Sequence, residues 1–140
     1  MIDELTKDLK SDEGWRGSAY KDHLGFLTIG WGFMIDERRG GVLPESIADA
    51  WLTHAVSLRW NQLLNLHPWL QSQPDDVQRA LGNMAYQLGV AGVGKFKNML
   101  SALEDNDRQH AAREALDSTW AHKQTPERAK RVATLIRGGT

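Results

Sequence analysis

Between Gly14 and Phe33 the chain loses helical periodicity. Glycines at 14, 17, 25, 30 and 32 are interleaved with Tyr20, Phe26, Leu27, Ile29, Trp31 and Phe33, a pattern of short strands and turns. Asp22-His23-Leu24-Gly25 reads as a turn between two strands. Along the second strand, Thr28, Gly30 and Gly32 fall on one face and Leu27, Ile29, Trp31 and Phe33 on the other. Helical patterning surrounds this segment. Ile2, Leu5 and Leu9 predict a short amphipathic helix over residues 2–11, with Gly14 as its stop. Residues 36–43 read as a glycine-containing loop, and Pro44-Glu45 suits the first turn of a helix running to about Leu66. Its stripe of Ile47, Trp51, Leu52, Ala55, Leu58 and Leu63 is expected to be buried, and His67-Pro68 interrupts it.

Pro74-Asp75-Asp76 opens another helix, with Val77, Leu81, Met84, Ala85 and Leu88 on one side and Gly89 as its C-terminal cap. Short helices are expected over 95–104, 107–118 and 126–137, the last begun by Thr125-Pro126. The fold class is therefore α+β and mostly helical, with one small N-terminal antiparallel sheet. The expected organisation is one domain over 1–140: a sheet lobe over about 12–43, a helical lobe of 1–11 and 67–140, and a connecting helix over 44–66, with a cleft between the lobes.

The totals narrow the function. A chain of 140 residues buries enough surface to fold without a staple, and it contains no cysteine. Seventeen basic against eighteen acidic residues give no basic excess, so no nucleic-acid partner is expected. The start MIDELTKDLKSDEG is polar and acidic, unlike a signal peptide. No stretch approaches the ~20 apolar residues of a membrane span, so no membrane insertion is expected. The histidines at 23, 54, 67, 110 and 122 lack metal-ligand spacing, and GVAGVGKF lacks the spacing of a phosphate loop. Neither a metal nor a cofactor is expected. The six tryptophans read as packing residues, with Trp31 able to face core or sugar.

Cutting a glycosidic bond takes two carboxyl groups, one to protonate the departing oxygen and one to activate water or attack. Glu13 stands at a helix end, Asp22 in a hairpin turn, and Thr28 on a strand face kept bare by Gly30 and Gly32. Such groups can converge on a groove. On spacing alone, such residues are more often solvated acids, a strand-forming threonine and a glycine bulge.

Residues 10–33, KSDEGWRGSAYKDHLGFLTIGWGF, resemble the N-terminal segment of glycoside hydrolase family 24, the phage-type lysozymes. That family spaces Glu, eight residues, Asp or Cys, five residues, Thr, and Glu13, Asp22 and Thr28 fit both gaps. ALGNMAYQLGVAGVGKF (80–96) resembles the family's central-helix motif, and WAHKQTPERAKRV (120–132) its C-terminal WxNQTPxRAKRV motif, with Lys123 in place of the Asn. The resemblance implies a muramidase acting on peptidoglycan glycan strands, inverting, with Glu13 as general acid and Asp22 and Thr28 positioning water. It implies Arg128 beside Glu13, Arg131 paired with Asp12, and sugar contacts from Gly30, Met34, Tyr86 and Gln87. It further implies a monomer made in the host cytoplasm, released with a holin and acting on peptidoglycan in the periplasm. Other readings are a lytic transglycosylase and an inactive peptidoglycan-binding module. The chain departs from the family at Phe33, where a His is common, in its short segment between Phe33 and Pro44, and in its near-neutral charge.

Overall fold

The computed structural model describes residues 1–139. The chain forms two compact units, Met1–Asp49 and the remainder from Ala50 onward.

The first unit holds α1 (Ile2–Glu13) and a three-stranded antiparallel sheet of β1 (Arg16–Lys21), β2 (Leu27–Gly30) and β3 (Phe33–Met34), in that spatial order. α1 stops where expected: Gly14 takes φ 74°, and its N–H closes onto the carbonyl of Lys10. Tyr20 pairs with Thr28 and Arg16 with Gly30, so four steps along β1 oppose two along β2. The surplus bulges out around Gly17-Ser18-Ala19, and a bulge of this kind bends a strand and re-aims its side chains.

The expected strand running on to Phe33 is corrected by the structure. Gly30 and Gly32 both have positive φ, 71° and 81°, a conformation that costs any residue with a Cβ. The chain therefore turns over Trp31-Gly32 and returns as β3, with Ile29 opposite Phe33 and Thr28 opposite Met34. The alternation ends at Gly30, and Gly32 does not share the strand face of Thr28. Trp31 faces Trp15, ring centroids 5.3 Å apart, with the Lys10 ammonium 5.2 Å from its own ring. After β3, the expected loop contains a single 3₁₀ turn over Glu37–Arg39.

α2 (Glu45–Leu66) crosses from the first unit into the second. Its expected buried stripe is also corrected. Leu63 alone is buried, while Trp51 is 58% exposed and Ile47, Leu52 and Leu58 are similarly open. Apolar residues encircle this helix: Leu58 lies on the side of Trp51, whereas Val56 and Leu63 lie far around the circumference. One packing partner covers only one of these sides.

The second unit carries the core. α3 (Asp75–Gly94), α4 (Lys97–Glu104), α5 (Arg108–Leu116) and α6 (Pro126–Arg137) enclose fully buried Leu63, Leu70, Val77, Leu81, Met84, Leu103 and Ile136. Each such side chain contributes roughly 1.5–3 kcal/mol by leaving water. α5 presents Ala111, Ala112 and Ala115 to its neighbours, and small residues allow close helix approach. α3 is not terminated by Gly89 as expected. Gly89, at φ 76° and ψ 162°, breaks the path, and a further turn runs to Gly94.

Between α5 and α6 lies a π-turn, Trp120–Gln124, in which the Thr125 N–H reaches the Trp120 carbonyl. Here three residues separate Trp120 from Gln124, whereas the WxNQTP motif has two. The π-turn absorbs the surplus residue, a common origin of such bulges. Among the described residues no helix is long and apolar enough to cross a membrane.

Candidate active site

Glu13 is the last residue of α1, and the Gly14 cap that ends the helix there leaves the side chain exposed. Its carboxylate lies against Gly32. A Cβ built on Gly32 would stand 2.8 Å from Glu13 Cδ, closer than real Cβ atoms approach, and would strike the carboxylate oxygen as well. Sequence spacing brought Gly32 in as part of a bare strand face. The structure gives it a different role, as the floor beneath the Glu13 carboxylate.

Asp22 opens the β1–β2 turn. Its Oδ1 accepts from the N–H groups of Leu24 and Phe26, both at 2.9 Å. The Asp22 N–H donates to the Phe26 carbonyl, and the Gly25 N–H to the Asp22 carbonyl. An aspartate that caps its own turn in this way is locally fixed. Oδ1 is committed to the turn, and Oδ2 has no hydrogen-bond partner among the described residues.

Thr28 lies in β2 and is 4% exposed, with its hydroxyl donating to the Phe26 carbonyl at 3.1 Å. The hydroxyl proton is thus taken, and the oxygen keeps its lone pairs for accepting. Phe26 connects the two residues, since its N–H and carbonyl hold Asp22 and its carbonyl also holds Thr28. Gly30 follows at the end of β2, with Phe33 and Trp15 rings close to where its Cβ would stand. Met34 is opposite Thr28 on β3 and is 38% exposed.

A buried acid absent from the sequence reading closes this unit. Asp36 is 4% exposed. Its Oδ2 accepts from the Leu27 N–H at 2.9 Å, and its carboxylate is bidentate to Arg38, with Nε at 2.8 Å and Nη2 at 2.7 Å. The Arg38 hydrogen bond, reinforced by the Leu27 N–H, holds the Asp36 carboxyl well below the usual carboxylate range. The available signal was local: an aspartate just before Glu-Arg-Arg caps a helical turn, and its Oδ1 accepts from the Arg38 N–H.

The remaining expected site residues belong to the second unit, apart from Asp12, which is exposed on α1. Arg128, on α6, donates from Nε to Asn83 Oδ1 at 2.8 Å and from Nη2 to the Asn83 carbonyl at 3.4 Å. Tyr86 is 46% exposed and lines a groove of about 500 Å³ with Trp60, Arg79, Asn83 and Arg128. The neighbouring Gln87 is engaged internally, its Oε1 accepting from Trp120 Nε1 at 3.0 Å and its Nε2 donating to Thr125 Oγ1 at 3.1 Å. Arg131 is exposed on α6. Among the described residues no cluster of His, Asp and Glu has the arrangement of a metal site.

Known proteins resemble this chain over most of its length. The family described as phage lysozyme matches residues 10–137. A protein of Dictyostelium discoideum named probable T4-type lysozyme 2 is 30% identical, with 100% of this chain and 97% of that protein covered. The pre-baseplate central spike protein Gp5 of Enterobacteria phage T4 is 31% identical over 96% of this chain and 28% of its own length. The peptidoglycan hydrolase gp36 of Pseudomonas phage phiKMV is 29% identical over 89% of this chain and 14% of its own length.

Proposed function

The chain belongs to the phage lysozyme family, and from that premise we propose that it is a muramidase, hydrolysing the β-1,4 bond between N-acetylmuramic acid and N-acetylglucosamine in peptidoglycan. The name of one relative, a peptidoglycan hydrolase, supports the substrate class. The observation that carries the reading lies within the first unit. An exposed carboxylate, Glu13, rests on a glycine that no other residue could replace without moving it, and a hairpin fixes Asp22 and Thr28 through shared bonds to Phe26.

In this reading Glu13 gives its proton to the glycosidic oxygen as the C1–O bond breaks. A water on the opposite face of the sugar attacks C1 and passes a proton to the free Oδ2 of Asp22. The Thr28 hydroxyl accepts a hydrogen bond from that water, because its own proton is held by Phe26. Inversion at C1 needs carboxyl groups about 6.5–9.5 Å apart, leaving room for the water. The resemblance assigns supporting roles to Asp12, Arg128 and Arg131, and sugar contacts to Gly30, Met34 and Tyr86. Gln87, bonded on both amide atoms, acts instead by fixing Trp120 and Thr125. The protein works as a monomer on periplasmic peptidoglycan, reached from the host cytoplasm through a holin.

The test is turbidity loss of permeabilised Gram-negative cells with the wild-type protein and with Glu13→Gln. The amide cannot supply a proton, so near-total loss of lysis is expected. Appreciable lysis by the variant removes Glu13 from the role of acid.

A further inference from the structure

The segment after β3 is short, yet it bonds closely to the hairpin that carries Asp22 and Thr28. The Leu27 N–H donates to Asp36 Oδ2, and the Leu27 carbonyl accepts from the Ile35 N–H, both at 2.9 Å. Arg38 Nη2, already on Asp36, also donates to the Gly25 carbonyl at 2.9 Å. The Arg38 and Arg39 guanidinium groups stand 5.0 and 4.5 Å from the Phe26 ring. Three successive residues, Gly25, Phe26 and Leu27, are thus each held from residues 35–39. They are also the residues that hold the proposed water-positioning groups: Phe26 binds Asp22 at two atoms and Thr28 at one, and Leu27 directly precedes Thr28.

We propose that Asp36 and Arg38 are positioning residues for the hydrolytic step, their ion pair fixing the Gly25–Leu27 backbone and through it the aim of the Asp22 carboxylate and the Thr28 hydroxyl. The proposal rests on the assignment of Asp22 and Thr28 made above. Three features favour it over a surface contact of no consequence. The acid is buried, both of its oxygens are bonded, and the pair is bidentate, the geometry that gives a guanidinium–carboxylate contact directional stiffness. Released from Asp36, the Leu27 N–H has no partner in its own strand, and the Phe26–Leu27 peptide can rotate. The Asp22 N–H and Thr28 Oγ1 both donate to the Phe26 carbonyl in that peptide, so its rotation moves both residues. A displacement of 1 Å in a reacting group costs up to about a hundredfold in rate.

The experiment compares Asp36→Asn, Arg38→Gln and the conservative Arg38→Lys, each in the wild-type and the Asp22→Asn background. Turnover and KM are measured on purified labelled peptidoglycan, well below the melting temperature of the weakest variant. In the wild-type background, Asp36→Asn is expected to lower kcat by about tenfold with KM changed less than about twofold, and Arg38→Lys to fall between wild type and Arg38→Gln. In the Asp22→Asn background the same change is expected to cost at most about threefold, because residues acting through one another are not additive. A fall in melting temperature with unchanged kcat overturns the proposal, as does an equal tenfold loss in both backgrounds. Wild-type turnover by Asp22→Asn alone removes the assignment of Asp22 and the positioning claim with it. Arg38→Lys keeps the charge and gives a folded variant if Asp36→Asn does not fold.

Discussion

Gly32 and Gly89 have similar positive φ angles, 81° and 76°, but the space around them differs. A Cβ on Gly32 would collide with the Glu13 carboxylate, whereas one on Gly89 would meet nothing within 4 Å. Alanine at either position is expected to cost on the order of 1–3 kcal/mol, because positive φ strains a residue with a Cβ and Gly89, at ψ 162°, occupies a region reached almost only by glycine. Only Gly32→Ala is expected also to lower turnover per folded molecule, by displacing the proposed acid. Thermal melts and kinetics on the two variants check this, and equal turnover in both would mean that Gly32 has no role beyond its backbone. Asp36 makes a related point. Its type and position were plain in the sequence, but its burial depends on Leu27, nine residues earlier, presenting a free N–H. No local pattern reveals that.

Among the elements, α6 ends on a Gly138 cap bonded to the Thr134 carbonyl, and one side chain holds its last free carbonyls. Arg108, on α5, donates from Nε to the Ile136 carbonyl at 2.7 Å, and from Nη2 to the Leu135 carbonyl and to Asp76 on α3. Arg108→Met is expected to cost about 2 kcal/mol, in line with charge-assisted bonds at a partly exposed site. The same contact sets a pH dependence. The Arg108 hydrogen bond lowers the Asp76 pKa below its ordinary 3.8. A carboxyl lowered on folding contributes stability that is complete above its unfolded pKa and is lost as pH falls through its folded value. The gap between wild type and Arg108→Met in urea unfolding is therefore expected to be full near neutrality and to shrink below about pH 4. A gap that stays constant or widens in acid would contradict the assignment.

α3, which packs one stripe against the core, was legible from its 3.6-residue period, with Val77, Leu81, Met84 and Ala85 buried as their spacing implied. α2 was misread because its apolar residues encircle it, so that periodicity named a stripe but not a buried side. β3 and the π-turn were missed for a shared reason. Each follows from backbone conformation at one or two residues, Gly30 and Gly32 in one case and the surplus residue after Trp120 in the other.

At the scale of the molecule, a net charge of −1 conceals an asymmetry. The first unit has six basic and ten acidic residues, and the second has eleven basic and eight acidic. Attraction to an anionic wall therefore belongs to the second unit, where Lys123 and Lys130 are exposed. Charge reversal at both is expected to slow association with purified sacculi at low salt and to have little effect at high salt, where the Debye length falls to about 3 Å. A slowing that is indifferent to salt would mean direct contact rather than steering.

Of the proposed site, the spacing of Glu13, Asp22 and Thr28 was legible, and so was the glycine-rich hairpin between them. The contacts that hold these residues were not, since they join Glu13 to Gly32 and Leu27 to Asp36 across turns that the sequence does not show. The central claim is hydrolysis with Glu13 as acid and a water held by Asp22 and Thr28. Mass analysis of the sugar ends left on digested peptidoglycan tests it most directly. Reducing N-acetylmuramic acid ends are expected from the wild-type protein, with none above background from Glu13→Gln; 1,6-anhydro ends from the wild type would show that no water takes part and would contradict the account.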